Sequence, residues 1–153
     1  MKHVLFVCLG NICRSPAGEA ILRRLAEEEG VVLTVDSCGT GDWHVGQEAH
    51  HKMRAAAEKR GFQLNGRAKQ FEQGYYDRFD LILAAEEAVY KSLMAGAASE
   101  EQKSRIHMMT AYSEPYRGQN VPDPYFGGDE HFEETLDILE EICRDILDHV
   151  RYS

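Results

Sequence analysis

A chain of 153 residues suits one compact domain, 1–153, and is long enough to bury most of its apolar surface without disulfides or a structural metal. Apolar residues make up 43% and charged residues 28%, an ordinary globular balance, and the formal net charge of -9 argues against the broad basic face that nucleic acid or an anionic membrane surface requires. Any phosphate bound by such a chain must meet a local positive potential built from backbone N–H groups and a few cations.

The chain begins Met1-Lys2-His3 and runs into a short apolar stretch, Val4 to Leu9, too brief for a secretory or membrane segment, which points to the cytosol. Residues 3–7 read as a buried strand. Residues 15–29 read as a helix, with Ser15 as N-cap, Pro16 at the first helical position and Gly30 just past the end. A β-branched strand at 31–35 leads into a glycine-rich loop, 38–46, and a helix at 49–60 closes on Gly61. A strand at 81–84, a helix at 86–93 and a strand at 106–109 follow. A last helix, about 130–149, carries Phe132, Leu136, Leu139, Cys143, Ile146 and Val150 as one buried stripe. Strands alternating with helices predict an α/β fold: a three-layer αβα sandwich on a four-stranded parallel sheet, with ligands bound beyond the carboxyl ends of the strands.

Cys8 and Arg14 fall at that edge, in the segment Cys8-Leu9-Gly10-Asn11-Ile12-Cys13-Arg14-Ser15-Pro16. A loop of this length between a strand and a helix can point successive N–H groups at one centre, with the helix dipole behind them. Gly10 is expected to take a backbone conformation that a larger residue resists. Arg14 offers a planar fork for two phosphate oxygens. Cys8 sits at the base, where the same field favours thiolate and in-line attack on phosphorus, and Ser15 has a hydroxyl to donate to that sulfur. Cysteine-x5-arginine alone is also what a buried cysteine and a surface arginine would give; the flanking strand, glycine, Ser-Pro and helix make it a phosphate-binding loop. Pro122-Asp123-Pro124, by its pattern alone, is a turn.

This loop, with Ser37-Cys38-Gly39-Thr40, Trp43-His44-Val45-Gly46, Arg67-Ala68-Lys69-Gln70, Phe79-Asp80-Leu81-Ile82-Leu83-Ala84 and Pro122-Asp123-Pro124-Tyr125, resembles the low-molecular-weight protein tyrosine phosphatases over nearly the whole chain. The resemblance implies hydrolysis of phosphotyrosine and aryl phosphate monoesters through a phosphocysteine, without metal or cofactor. It implies Cys8 as nucleophile, Arg14 as phosphate and transition-state ligand, and Asp123 as general acid and then base. Asn11, Ser15 and Ser37 would hold the loop, while Ile12, Trp43 and Tyr125 would line the substrate cleft, although a loop aromatic is as often a packing anchor. Cys13 would either form a reversible disulfide with Cys8 or serve as a small buried hydrophobe. Expected partners are phosphotyrosine proteins or peptides, with inorganic phosphate as product and inhibitor and the chain as monomer or weak dimer. Ala85-Glu86-Glu87-Ala88-Val89 departs from the family's Met-Asp pattern, and Cys38 stands where an alanine is usual. A protein-arginine phosphatase is the near alternative on this scaffold, but Ile12 replaces its typical threonine. An arsenate reductase would need cysteines between Cys38 and Cys143, and a non-catalytic phosphate-binding module would not need both Cys8 and Asp123.

Overall fold

The computed structural model describes residues 1–152; Ser153, the last residue of the expected domain, lies outside the described residues. Four parallel strands form one sheet: β1 (Lys2–Cys8), β2 (Leu33–Gly39), β3 (Leu81–Ala84) and β4 (Ile106–Met108), in the order β2-β1-β3-β4. The alternation of β1 sets the layers. Val4, Phe6 and Cys8 face a core built from α1 (Arg14–Glu29), α2 (His51–Lys59) and α6 (Asp129–Arg151). Leu5 and Val7 face the other layer, formed by α3 (Tyr75–Arg78) and α4 (Glu87–Gly96) with the inner residues of β3 and β4. A short α5 (Glu100–Lys103) precedes β4 and buries nothing, and one 3-10 turn lies at Glu114–Tyr116. The expected stripe on α6 is buried at every position from Phe132 to Val150.

Several element boundaries differ from the sequence reading, and those of β2 and α1 do so for definable reasons. The second strand starts at Leu33 rather than Val31 because the Val31 N–H donates to Ala26 O and closes α1, with Gly30 in the left-handed region. It then runs on to Gly39, because the parallel register with β1 continues from Lys2–Leu33 to Cys8–Gly39. Helix α1 starts at Arg14 with Cys13 as the capping position, so Ser15 is not the N-cap and Pro16 is not the first helical residue. No side chain caps this helix, which leaves its first-turn N–H groups directed at the preceding loop.

From β1 the chain crosses to β2 on one side, while β3 lies on the other. The strand order therefore reverses at the carboxyl end of β1, where an open parallel sheet leaves a crevice. Cys8 is the last residue of that strand. Among the described residues, no helix is long and apolar enough to cross a membrane.

Candidate active site

Residues 8–14 curl over the end of β1 with their carbonyls turned outward. Cys8 O accepts from Thr40 N–H at 3.0 Å, Leu9 O from Gly41 N–H at 2.9 Å, Ile12 O from His50 N–H at 2.8 Å, and Cys13 O from Ala17 N–H at 3.2 Å. Anchoring the carbonyls on the outside turns the N–H side of the loop inward, the arrangement of an anion nest. The Asn11 N–H lies 3.3 Å from Cys8 Sγ.

The strained position in this loop is Asn11, with φ of 59°, rather than Gly10. The left-handed conformation costs a non-glycine residue about 1 kcal/mol, and the Asn11 side chain offsets that by bonding in three directions. Its Oδ1 accepts from Lys69 N–H at 3.0 Å, and its Nδ2 donates to Ser15 Oγ at 2.8 Å and to Ser37 Oγ at 3.1 Å. Gly10 makes room of a different kind: a Cβ there would lie 2.8 Å from the His44 ring, which would have to shift. A Cβ on Gly39, beneath the loop, would lie 2.8 Å from Leu9 O and 3.0 Å from Asn11 N. The end of β2 can pass under the loop only as glycine.

Cys8 is buried, and its sulfur lies 2.9 Å from Ser15 Oγ, which also reaches Cys38 O at 3.2 Å. Arg14 is 2% exposed, and its charge is held from behind: Nη1 donates to Glu86 Oε2 at 3.1 Å and to Val121 O at 3.1 Å, while Nη2 lies 3.6 Å from Asp123 Oδ2. The loop carrying Asp123 is pinned to the sheet edge by the Val121 N–H on Ala85 O and the Glu87 N–H on Asn120 Oδ1. Asp123 Oδ1 accepts from Tyr125 N–H at 3.1 Å, so Pro-Asp-Pro does form the turn its pattern predicts, while the second carboxylate oxygen faces Arg14. Cys8, Ile12, Cys13, Arg14, Asp123 and Tyr125 thus share one cleft of about 300 Å³, with Leu9, Trp43, His44 and Phe126 completing its wall and rim.

The low molecular weight phosphotyrosine protein phosphatase family model matches residues 3–153. The chain belongs to that family. A low molecular weight protein-tyrosine-phosphatase of Streptomyces coelicolor is 37% identical, with 97% of this chain and 93% of the relative covered. The low molecular weight phosphotyrosine protein phosphatase of Sus scrofa is 33% identical over 98% of this chain and 96% of its own. The crystal structure of a protein tyrosine phosphatase from Entamoeba histolytica superposes with a TM-score of 0.94 at 33% identity, covering 99% of this chain and 98% of that one.

Within this family frame the remaining predicted residues sort by position. Ser37 reaches the loop through Asn11. Trp43 stands 64% exposed at the rim, its ring folded over the backbone of Gly41. Cys13 lines the cleft, and burial pushes its thiol well above the usual range. Cys38 lies on the other face of the sheet from Cys8, paired with Val7 in register and packed among Leu5, Tyr75 and Tyr76; it contributes its carbonyl, not its thiol, to the site. Glu86 was visible in the sequence only as a departure from the family pattern, yet it is the anchor of Arg14. Gly39 was visible only as part of the Ser37-Cys38-Gly39-Thr40 resemblance, and Glu19, which accepts from Ser37 Oγ, carried no signal that would have marked it. Among the described residues, no group of three metal-ligating side chains comes together.

Proposed function

We propose that this chain hydrolyses phosphotyrosine monoesters in proteins or peptides through a phosphocysteine at Cys8. The observation that carries the reading is the convergence of one sulfur, one buried guanidinium and one carboxylate in a single aromatic-walled cleft.

In this reading the phosphoryl group sits in the nest, its equatorial oxygens on the loop N–H groups and on Arg14 Nη2. The Cys8 thiolate attacks phosphorus in line. The ester P–O bond breaks as the S–P bond forms, and Asp123 passes its proton to the departing phenolate oxygen. Asp123, now a carboxylate, takes a proton from water as that water attacks phosphorus. The S–P bond breaks, and the thiolate leaves toward the Ser15 hydroxyl. Inorganic phosphate is the product and, by occupying the same nest, a competitive inhibitor. The positive charge needed for this chemistry comes from Arg14 and backbone dipoles, so metal chelation leaves the rate unchanged. Ile12 and Tyr125 give the cleft apolar walls suited to a phenyl ring rather than a phosphoguanidinium.

The test is hydrolysis of p-nitrophenyl phosphate with a chelator present. The reading expects Cys8→Ser to lose roughly 10⁴-fold or more in kcat, and Asp123→Ala to lose about 10²- to 10³-fold. Activity retained in Cys8→Ser would overturn it.

A further inference from the structure

A second cavity, of about 180 Å³, lies behind the loop and is lined by Asn11, Glu19, Arg23, Asp36, Ser37 and Lys69 among others. Most of its charges are paired with each other: Glu19 Oε2 with Arg23, which is itself tied to Val35 O, and Asp36 with Lys69. The other oxygen of Glu19 is used differently. It lies 2.6 Å from Ser37 Oγ.

A count of protons then fixes the direction of each contact from Glu19 as far as Ser15. A carboxylate only accepts, so the single hydroxyl proton of Ser37 belongs to Glu19. Ser37 Oγ therefore accepts from Asn11 Nδ2. The Lys69 N–H on Asn11 Oδ1 orients the amide the same way, so both Nδ2 protons are spent, one on Ser37 and one on Ser15. Ser15 Oγ is thereby an acceptor on its Asn11 side, and its own proton is left to swing between Cys38 O and Cys8 Sγ. Were Ser37 released from Glu19, its hydroxyl would be free to donate elsewhere and only the Lys69 N–H would still orient the Asn11 amide; an amide reversed against that single contact would turn Oδ1 toward the Ser15 proton and draw it away from sulfur.

We propose that Glu19 is a positioning residue for the nucleophile: through Ser37, Asn11 and Ser15 it holds a one-way hydrogen-bond relay that keeps the Ser15 proton from Asn11 and available to the Cys8 sulfur. The inference rests on the reading of Cys8 as the nucleophile. It also has a sign that distinguishes it from simple electrostatics. Removing a carboxylate behind the loop favours a thiolate by charge alone, whereas breaking the relay disfavours it. The other charged or titratable groups around Cys8 are Arg14 from α1, Cys13 from the loop and Asp123 from the 121–125 segment, with the Cys38 thiol behind it on the opposite face of the sheet, and none of them changes in the variants below.

The experiment is the pH profile of iodoacetamide alkylation, read at Cys8 by peptide mass spectrometry. Burial pushes the thiols of Cys13, Cys38 and Cys143 up, and fragmentation of the labelled peptides separates any label on them from label at Cys8. For Glu19→Ala the midpoint moves to higher pH by about half a unit, the scale of one weakened hydrogen bond. Glu19→Gln moves less, because its amide oxygen still accepts from Ser37, and this variant carries the test if Glu19→Ala does not fold. In a Ser37→Ala background, Glu19→Ala adds no upward shift. A downward shift, or none, in folded Glu19→Ala and Glu19→Gln would overturn the relay while leaving Cys8 as the nucleophile. Label that persists in Cys8→Ser would overturn both.

Discussion

Arg14 shows at single-residue scale how an acidic protein makes a phosphate site. Its guanidinium is almost fully buried, a state that a cation reaches only with partners, and Glu86 and the Val121 carbonyl hold its rear edge while the other edge faces the cleft. Glu86 is therefore as much a part of the phosphate grip as Arg14. Its side chain is 25% exposed, which screens the pair. Glu86→Gln is expected to cost about 1–2 kcal/mol of stability, read as a lower unfolding midpoint, and about tenfold in kcat/KM for an aryl phosphate. A variant with a weakened grip binds inorganic phosphate less tightly, so adding phosphate stabilises the wild type more and should widen the stability gap between the two. A gap that phosphate leaves unchanged would place Glu86 outside the phosphate grip.

Elements set the site by where they end. The loop is gripped by the end of β2 and by residues 40–50 beyond it, and Gly39 lets that strand end pass beneath. Gly39→Ala would push Leu9 O and Asn11 N by several tenths of an ångström, and displacements approaching 1 Å in a preorganised site cost up to about 10²-fold in rate. The expected result is a large loss of kcat with the sheet still formed, measured by steady-state kinetics beside circular dichroism.

The same contrast marks what was legible in the sequence. The long helices and the strand–loop–helix around Cys8 announce themselves through periodicity and punctuation, because their local pattern and tertiary role agree. Helices α3 and α5, four residues each, have no room for a periodic pattern. β2 starts later than its composition suggests because Val31, strand-like by composition, is used to close a helix. Ser15 has the chemistry of a cap, but its hydroxyl is engaged by the Cys8 sulfur and the Cys38 carbonyl. The strain expected of Gly10 belongs to Asn11, whose bonds to Lys69 and Ser37 reach far along the chain and leave no local trace. Cys8, Arg14 and Asp123 were nameable; Glu86 and Glu19, which act on them from other elements, were not.

At the scale of the whole molecule, a net charge of -9 surrounds a site that must hold a phosphoryl dianion. The conflict is resolved by locality: carbonyls are anchored outward, N–H groups point inward, the uncapped start of α1 is added, and one buried cation is held at the centre. Around this centre the exposed apolar side chains Leu9, Trp43, Val45 and Phe126 gather at or near the rim, an apolar landing surface in an otherwise charged exterior.

The central claim is that phosphorus passes through the sulfur of Cys8. Its most direct test is rapid-quench trapping with Asp123→Ala and p-nitrophenyl phosphate. A nitrophenolate leaving group needs little help from an acid, whereas the water that must attack the phosphocysteine has lost its base, so the intermediate accumulates. The account predicts a burst of nitrophenolate, with phosphate mapped to the peptide carrying Cys8 in a matching amount. Turnover that leaves no phosphate on the protein, or phosphate found on any other residue, would contradict it.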